Sequence, residues 1–141
     1  MESITKPQGE GYLVVRVTTA RGAIPLADAQ VRIRKEAPED SGILYALRSN
    51  RDGLTGKVAL PTPPLSNSES PQGGIPFSTY GVDVFKEGYG PLSFQNVPIF
   101  PGVVSVQPAV MIPLPEGFPP IVEEQNVATT AEDKQFPQEQ G

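Results

Sequence analysis

Residues 11–18 read GYLVVRVT, and their side chains divide at the two-residue spacing of an extended chain. Leu13, Val15 and Val17 fall on one side, Tyr12, Val14, Arg16 and Thr18 on the other. A wholly aliphatic face beside a mixed one predicts a half-buried strand, and the same pattern recurs outward from it. Residues 20–29 (ARGAIPLADA) break it with Gly22 and Pro25, after which Val31 and Ile33 alternate with Gln30, Arg32 and Arg34 in a second strand with a basic outer face. A break at 38–42, a strand over Ile43–Ser49, a turn at Asn50-Arg51-Asp52-Gly53 and a strand over Leu54–Leu60 follow. The last two strands are expected to form a hairpin about that turn, with Tyr45, Leu47, Val58 and Leu60 facing the core.

Pro61–Pro76 holds five prolines and two glycines in sixteen residues and reads as a long exposed loop, a common carrier of function. In residues 77–86 (FSTYGVDVFK), Tyr80, Val82 and Val84 alternate with Asp83 and Phe85, and a turn at 87–91 ends the strand. Residues 92–100 give Leu92 and Phe94, then Val97 and Ile99. That switch of phase beside Pro98 predicts a bulge or an edge position. After Pro101-Gly102, Val104, Val106, Val110 and Ile112 share one parity and Pro108 interrupts the ladder. No stretch holds the i, i+3, i+4, i+7 spacing for three turns, so no substantial helix is expected. Seven short strands with turns between them predict an all-β fold, a seven-stranded antiparallel β-sandwich over residues 11–114. Residues 1–10 read as a flexible N-terminus. Residues 115–141 read as an acidic, Pro- and Gln-containing tail or linker, disordered because its scattered apolar residues cannot offset the entropy of ordering.

The chain has 141 residues, one domain's worth, and contains no histidine, cysteine or tryptophan. Imidazole bases, Ser/His/Asp and Cys/His nucleophiles, thiolate or histidine zinc sites, haem ligands and disulfides are thereby excluded. The sequence predicts no enzyme, no metal and no cofactor. The net charge of −5 is uneven: residues 1–113 balance ten acids against ten bases, whereas the remainder carries six acids and one lysine. Without a basic cluster the chain lacks the footprint that nucleic acid or an anionic membrane requires. The opening MESITKPQGEG has neither a basic n-region nor an apolar stretch, and no run approaches the ~20 apolar residues of a spanning helix. The expectation is synthesis in the cytoplasm with no signal peptide, and no membrane insertion.

Three patterns in order carry a resemblance. Residues 23–33 (AIPLADAQVRI), residues 49–56 (SNRDGLTG) and residues 80–89 (YGVDVFKEGY) together resemble carboxypeptidase regulatory-like domains, small transthyretin-like (prealbumin-like) sandwiches. Asp28 stands where that family usually has glycine, and the 61–76 loop is longer than its usual hairpin loop. The layout of the 61–66 loop, NVPIFPG and IPLPE also resembles clostridial domains that precede peptidoglycan-binding modules. The resemblance implies a non-catalytic structural or protein-interaction module, in a bacterial cell-envelope or spore-associated assembly. The family's fold also hosts a ureide hydrolase, but that activity relies on histidines, which this chain lacks.

Candidate sites are weighed on the same residues. Gly53–Val58 fails the phosphate-loop spacing, and Asn50 with Asp52 offers too few oxygens for calcium, so the turn reads as an Asx turn. Glu36, Glu39, Asp40, Asp83 and Glu87 lack an apolar cleft and read as a solvated face rather than a glycosidase pair. Tyr45 and Tyr80 read as core residues with a hydroxyl at the rim. Tyr12 and Phe85 fall on outward parities and, with Leu65 and Ile75 of the long loop, are the candidate binding residues. They imply an apolar patch for a protein partner or a stacking platform for a carbohydrate or peptidoglycan. Ile121 and Val122 can add a strand to a sheet edge, against the reading as a solvated tether. A self-assembling homo-oligomer, through edge strands or the tail, is the third reading.

Overall fold

The computed structural model describes residues 9–36, 42–64, 76–115 and 122–127, and every element among them is a strand. In chain order these are β1 (Gly9–Thr19), β2 (Ile24–Pro25), β3 (Gln30–Arg34), β4 (Ile43–Arg48), β5 (Val58–Thr62), β6 (Ser78–Phe85), β7 (Leu92–Ile99), β8 (Val104–Val110) and β9 (Glu123–Asn126). They form two sheets. In sheet A, β1 is central, with β2 and β5 along one edge and β8 along the other; sheet B runs β4-β3-β6-β7-β9. Leu13, Val15 and Val17 of β1, Val31 and Ile33 of β3, and Val82 and Val84 of β6 are fully buried between the sheets. These are the inward sets that the alternation picked out. The all-β sandwich stands.

Its strand set departs from seven antiparallel strands in two respects. β2 and β9 are additional, and both β1–β8 and β7–β9 pair in parallel. β2 is two residues long and has no period to read. β9 lies in the stretch read as a solvated tether, and its register sets Glu123–Asn126 against Leu92–Gln95. Val127, which follows it, packs against the core.

The expected hairpin about Asn50 does not form. β4 belongs to sheet B and β5 to sheet A, so the turn carries the chain from one sheet to the other. The cause lies in where its backbone groups go. Gly53 C=O accepts from Val17 N–H, Thr55 N–H donates to Val15 C=O, and Thr55 Oγ1 accepts from Val15 N–H. Residues 53–55 thus pair with β1 instead of β4. The Asx turn itself is present: Asn50 Oδ1 accepts from the N–H groups of Asp52 (2.9 Å) and Leu54 (3.0 Å). Gly53 has φ +81°, and a Cβ placed there would lie 2.4 Å from the Val17 carbonyl oxygen. Asp28, at the position where the resembled family carries glycine, has φ +62°. The backbone there takes the left-handed conformation that glycine would supply without strain.

The phase switch in β7 is a bulge. Tyr80 pairs with Val97 and Val82 with Phe94, which leaves Gln95 and Asn96 opposite Gly81. Asn96 takes φ +58° and donates its N–H to the Glu36 carboxylate at 2.9 Å. The bulge turns Leu92, Phe94, Val97 and Ile99 all inward, where each is buried. Pro61 and Thr62, read as the start of the long loop, close β5 opposite Glu10 and Gly9. The Pro61 carbonyl accepts a short hydrogen bond from the buried Tyr80 hydroxyl, and Tyr45 donates its hydroxyl to Ala59 C=O at 2.8 Å. Tyr80 therefore lies in the core and Tyr45, half-buried, packs against it, and both hydroxyls tie sheet B to β5.

Gly53→Ala combines a left-handed φ with a clash against backbone, so it should cost about 1–3 kcal/mol, read as a lowered urea midpoint at unchanged slope. Burial pushes the Tyr80 hydroxyl above the ordinary tyrosine value of 10.0. The unfolded chain then releases that proton first as pH rises, so stability is fully present below pH 10 and declines through the folded-state value. Thermal melts from pH 8 upward should show a decline at the alkaline end that is smaller in Tyr80→Phe. That variant should also lose about 1 kcal/mol at neutral pH with its hydrogen bond.

Candidate interaction surface

Strand β8 reverses the usual orientation of aliphatic side chains. Its shared parity of Val104, Val106 and Val110, continued by Ile112, is the outward one, with exposures of 49%, 54%, 40% and 62%. Ser105, Gln107, Ala109 and Met111 take the inward positions. Ala109 and Met111 are buried, whereas Ser105 and Gln107 are only half-buried. Two anchors fix this phase. At one end, the Pro101-Gly102 turn donates Gly102 N–H to Glu10 C=O (2.8 Å), and Tyr12 N–H donates to Val103 C=O (2.9 Å). At the other, Met111 N–H donates to Thr18 C=O (2.7 Å) and its carbonyl accepts from Thr19 Oγ1 (2.7 Å). A slip of one residue would bring the valines inside but would break both anchors.

The parallel register sets Tyr12 beside Val104, Val14 beside Val106 and Arg16 beside Pro108. The outer face of sheet A is therefore a continuous apolar strip from Tyr12 and Val14 across to Val104 and Val106. Lys57 stands 4.9 Å over the Tyr12 ring, and the Tyr12 hydroxyl donates to Glu10 at 3.3 Å. Beside the strip, where β8 overhangs sheet B, an open cavity of about 410 Å³ runs between Val106, Pro108, Val97, Gln125 and Val127. The inward face of β8 is polar at Ser105 and Gln107 because those residues line this opening rather than the packed core.

Of the four candidate binding residues, Tyr12 lies on the outer face of sheet A and Phe85 on the outer face of sheet B, where Arg32 stands 5.4 Å over its ring. They face away from each other across the sandwich, so the two do not form one stacking platform. Leu65 and Ile75, with Glu39 and Asp40, lie outside the described residues. Of the other carboxylates, Glu87 is exposed in the turn after β6, Glu36 accepts from Asn96 N–H, and Asp83 is engaged in sheet B. Arg34 Nε donates to Asp83 Oδ2 at 3.0 Å, Ser93 donates its hydroxyl to Asp83 Oδ1 at 2.9 Å, and the Arg34 guanidinium covers Gly81, where a Cβ would strike it. The pair is partly buried, with side-chain exposures of 21% and 23%, and joins neighbouring strands of sheet B. The outward valines were visible in the sequence as a shared parity, but parity alone does not say which side is inside.

No protein-family model matches the chain, and no curated protein matches it. Among solved structures it is similar to the Bacillus anthracis TIE protein (12% identity, TM-score 0.45, 75% of this chain and 17% of that one). It is also similar to GBS52, the minor pilin of Streptococcus agalactiae (13%, 0.48, 81% and 49%). A third likeness is to 3-chlorocatechol 1,2-dioxygenase from Rhodococcus opacus 1CP (12%, 0.49, 77% and 62%). The chain thus spans between 17% and 62% of these proteins' lengths, and they include both a pilin and an enzyme, so no role follows from them. Among the described residues no helix is long and apolar enough to cross a membrane, and no three acidic side chains group as metal ligands do.

Because the side chains of Val104 and Val106 contribute little to the core, replacing both by threonine should leave the fold in place. At concentrations low enough to hold single chains, chemical denaturation of V104T/V106T should give a stability within about 0.5 kcal/mol of wild type. A loss of several kcal/mol would mean that these side chains are buried.

Proposed function

We propose that the chain is a non-enzymatic structural module that works by protein association through the outer face of sheet A. The observation that carries this reading is the outward run Val104, Val106, Val110 and Ile112 beside Tyr12 and Val14, held outward by anchors at both ends of β8. Contiguous exposed aliphatic surface is costly in water and marks a surface that meets another protein. The carbohydrate reading needs aromatic rings on one face, and here Tyr12 and Phe85 lie on two. The absence of histidine and cysteine, with Asp83 held by Arg34 and Ser93, supports a passive scaffold. The transthyretin-like resemblance extends the proposal to a regulatory-like domain in a bacterial envelope or spore-associated assembly.

A photo-reactive residue at position 104 of the full chain, compared with one at position 85, tests the face. A discrete protein adduct is expected from position 104 and none from position 85. Adducts from position 85 alone would move the docking surface to sheet B. Saturable pelleting of the chain with insoluble peptidoglycan sacculi, lost in V104T/V106T, would turn the same face into a glycan site.

A further inference from the structure

Building on that reading of the face, we propose that its partner is a second copy of this chain, joined by antiparallel pairing of β8 with β8 about a two-fold axis at Ser105. The bonds from Tyr12 N–H to Val103 C=O and from Met111 N–H to Thr18 C=O show that the odd-numbered residues of β8 face β1. Its even-numbered residues therefore direct their backbone groups to the open edge. Val104 and Val106 present a donor and an acceptor there. Pro108, also even, has no N–H to present, and its carbonyl accepts from the Gln107 side chain at 2.8 Å. The edge is thus interrupted at Pro108 and open at 104–106.

An axis at Ser105 sets Val104 opposite the second copy's Val106 and Val106 opposite its Val104. Each pair exchanges two N–H···O=C bonds and Pro108 is not required. On the outer face each row across the junction then reads Tyr12, Val104, the second copy's Val106, the second copy's Val14. Every contact is apolar or β-branched, the pairing that sheets favour. Charge points the same way. Residues 103–112 contain no charged side chain, so copies of a chain with net charge −5 meet where neither carries charge. The flanking charges complement each other: Arg16, beside Pro108, shares a row with the second copy's Glu10, beside Gly102. That row spans about 14 Å at the usual interstrand spacing, so it selects register more than it adds affinity. A charged peptide strand would forgo this match, and natural edges that avoid self-pairing carry charges that this one lacks.

Val106→Pro is the decisive variant, because it removes an edge-facing N–H and leaves the β1 ladder untouched, as Pro108 does in the native chain. Light scattering after size exclusion of the full wild-type chain should give twice the chain mass, falling to the chain mass at least tenfold more readily on dilution in V106P. Hydrogen exchange in the wild type should protect the Val104 and Val106 amides in a concentration-dependent manner, which decides the matter even if V106P fails to fold. A wild-type chain that stays monomeric at hundreds of micromolar overturns the second copy while leaving the face free for another protein. A dimer that survives V106P but is lost in V104T/V106T overturns edge pairing and keeps face docking. A dimer indifferent to both overturns both.

Discussion

The backbone of β1 is committed along both of its edges, and most of the architecture follows from satisfying it. A central strand buried on one face cannot leave N–H and C=O groups unpaired without a cost of about 1–3 kcal/mol each. On one side, β5 covers Gly9–Leu13, residues 53–55 cover Val15–Val17, and β2 with Leu26 covers Val17–Thr19. Three short pieces thus stand in for one long strand. This is why Asn50-Arg51-Asp52-Gly53 cannot close a hairpin between β4 and β5. Gly53 must approach the Val17 carbonyl closely enough to exclude a side chain, and the chain leaves the turn already bound to sheet A.

On the other side of β1 lies β8, arriving in parallel after a path through sheet B. Its phase is set where it is anchored, at Gly102 and Met111, rather than by its own hydrophobicity. The inner positions of its middle section face the opening beside β7 and β9, where packing has ended. Polar Ser105 and Gln107 suit that environment, and the aliphatic set is left for the exterior. An inward slip would place Val104 and Val106 over a half-open cavity while removing the hydrogen bonds that hold Met111 under Thr19.

Much of the fold was legible in the sequence because burial and alternation coincide. Leu13, Val15, Val17, Val31, Ile33, Tyr80, Val82 and Val84 are core residues, and the broken phase at Phe94 and Val97 is a bulge. What was not legible depends on which sheet a strand joins. β4 and β5 look like hairpin partners because only two-residue alternation and a turn are visible locally, and the hydrogen bonds that separate them reach Val15 and Val17, about 40 residues away. The same limit applies to the candidate surface. Tyr12 and Phe85 share an outward parity, yet outward from sheet A and outward from sheet B are opposite directions. The valines of β8 could be assigned a side only once Met111 and Gly102 were placed.

Exposed aliphatic side chains and an open edge are separately tolerable on a monomer, but together they act cooperatively. A strand that adds to the edge of β8 gains backbone hydrogen bonds and, at the same rows, covers Val104 and Val106. The two gains share a single ordering cost. The proline at 108 and the Gln107 amide on its carbonyl then limit how far an added strand can run. An edge open along its full length would template indefinite growth, whereas one interrupted at Pro108 accepts a short self-complementary pairing near Ser105 that closes on itself. In the proposed pairing Pro108 limits the extent of association without weakening the strand, since its missing N–H faces the edge and β1 loses nothing by it.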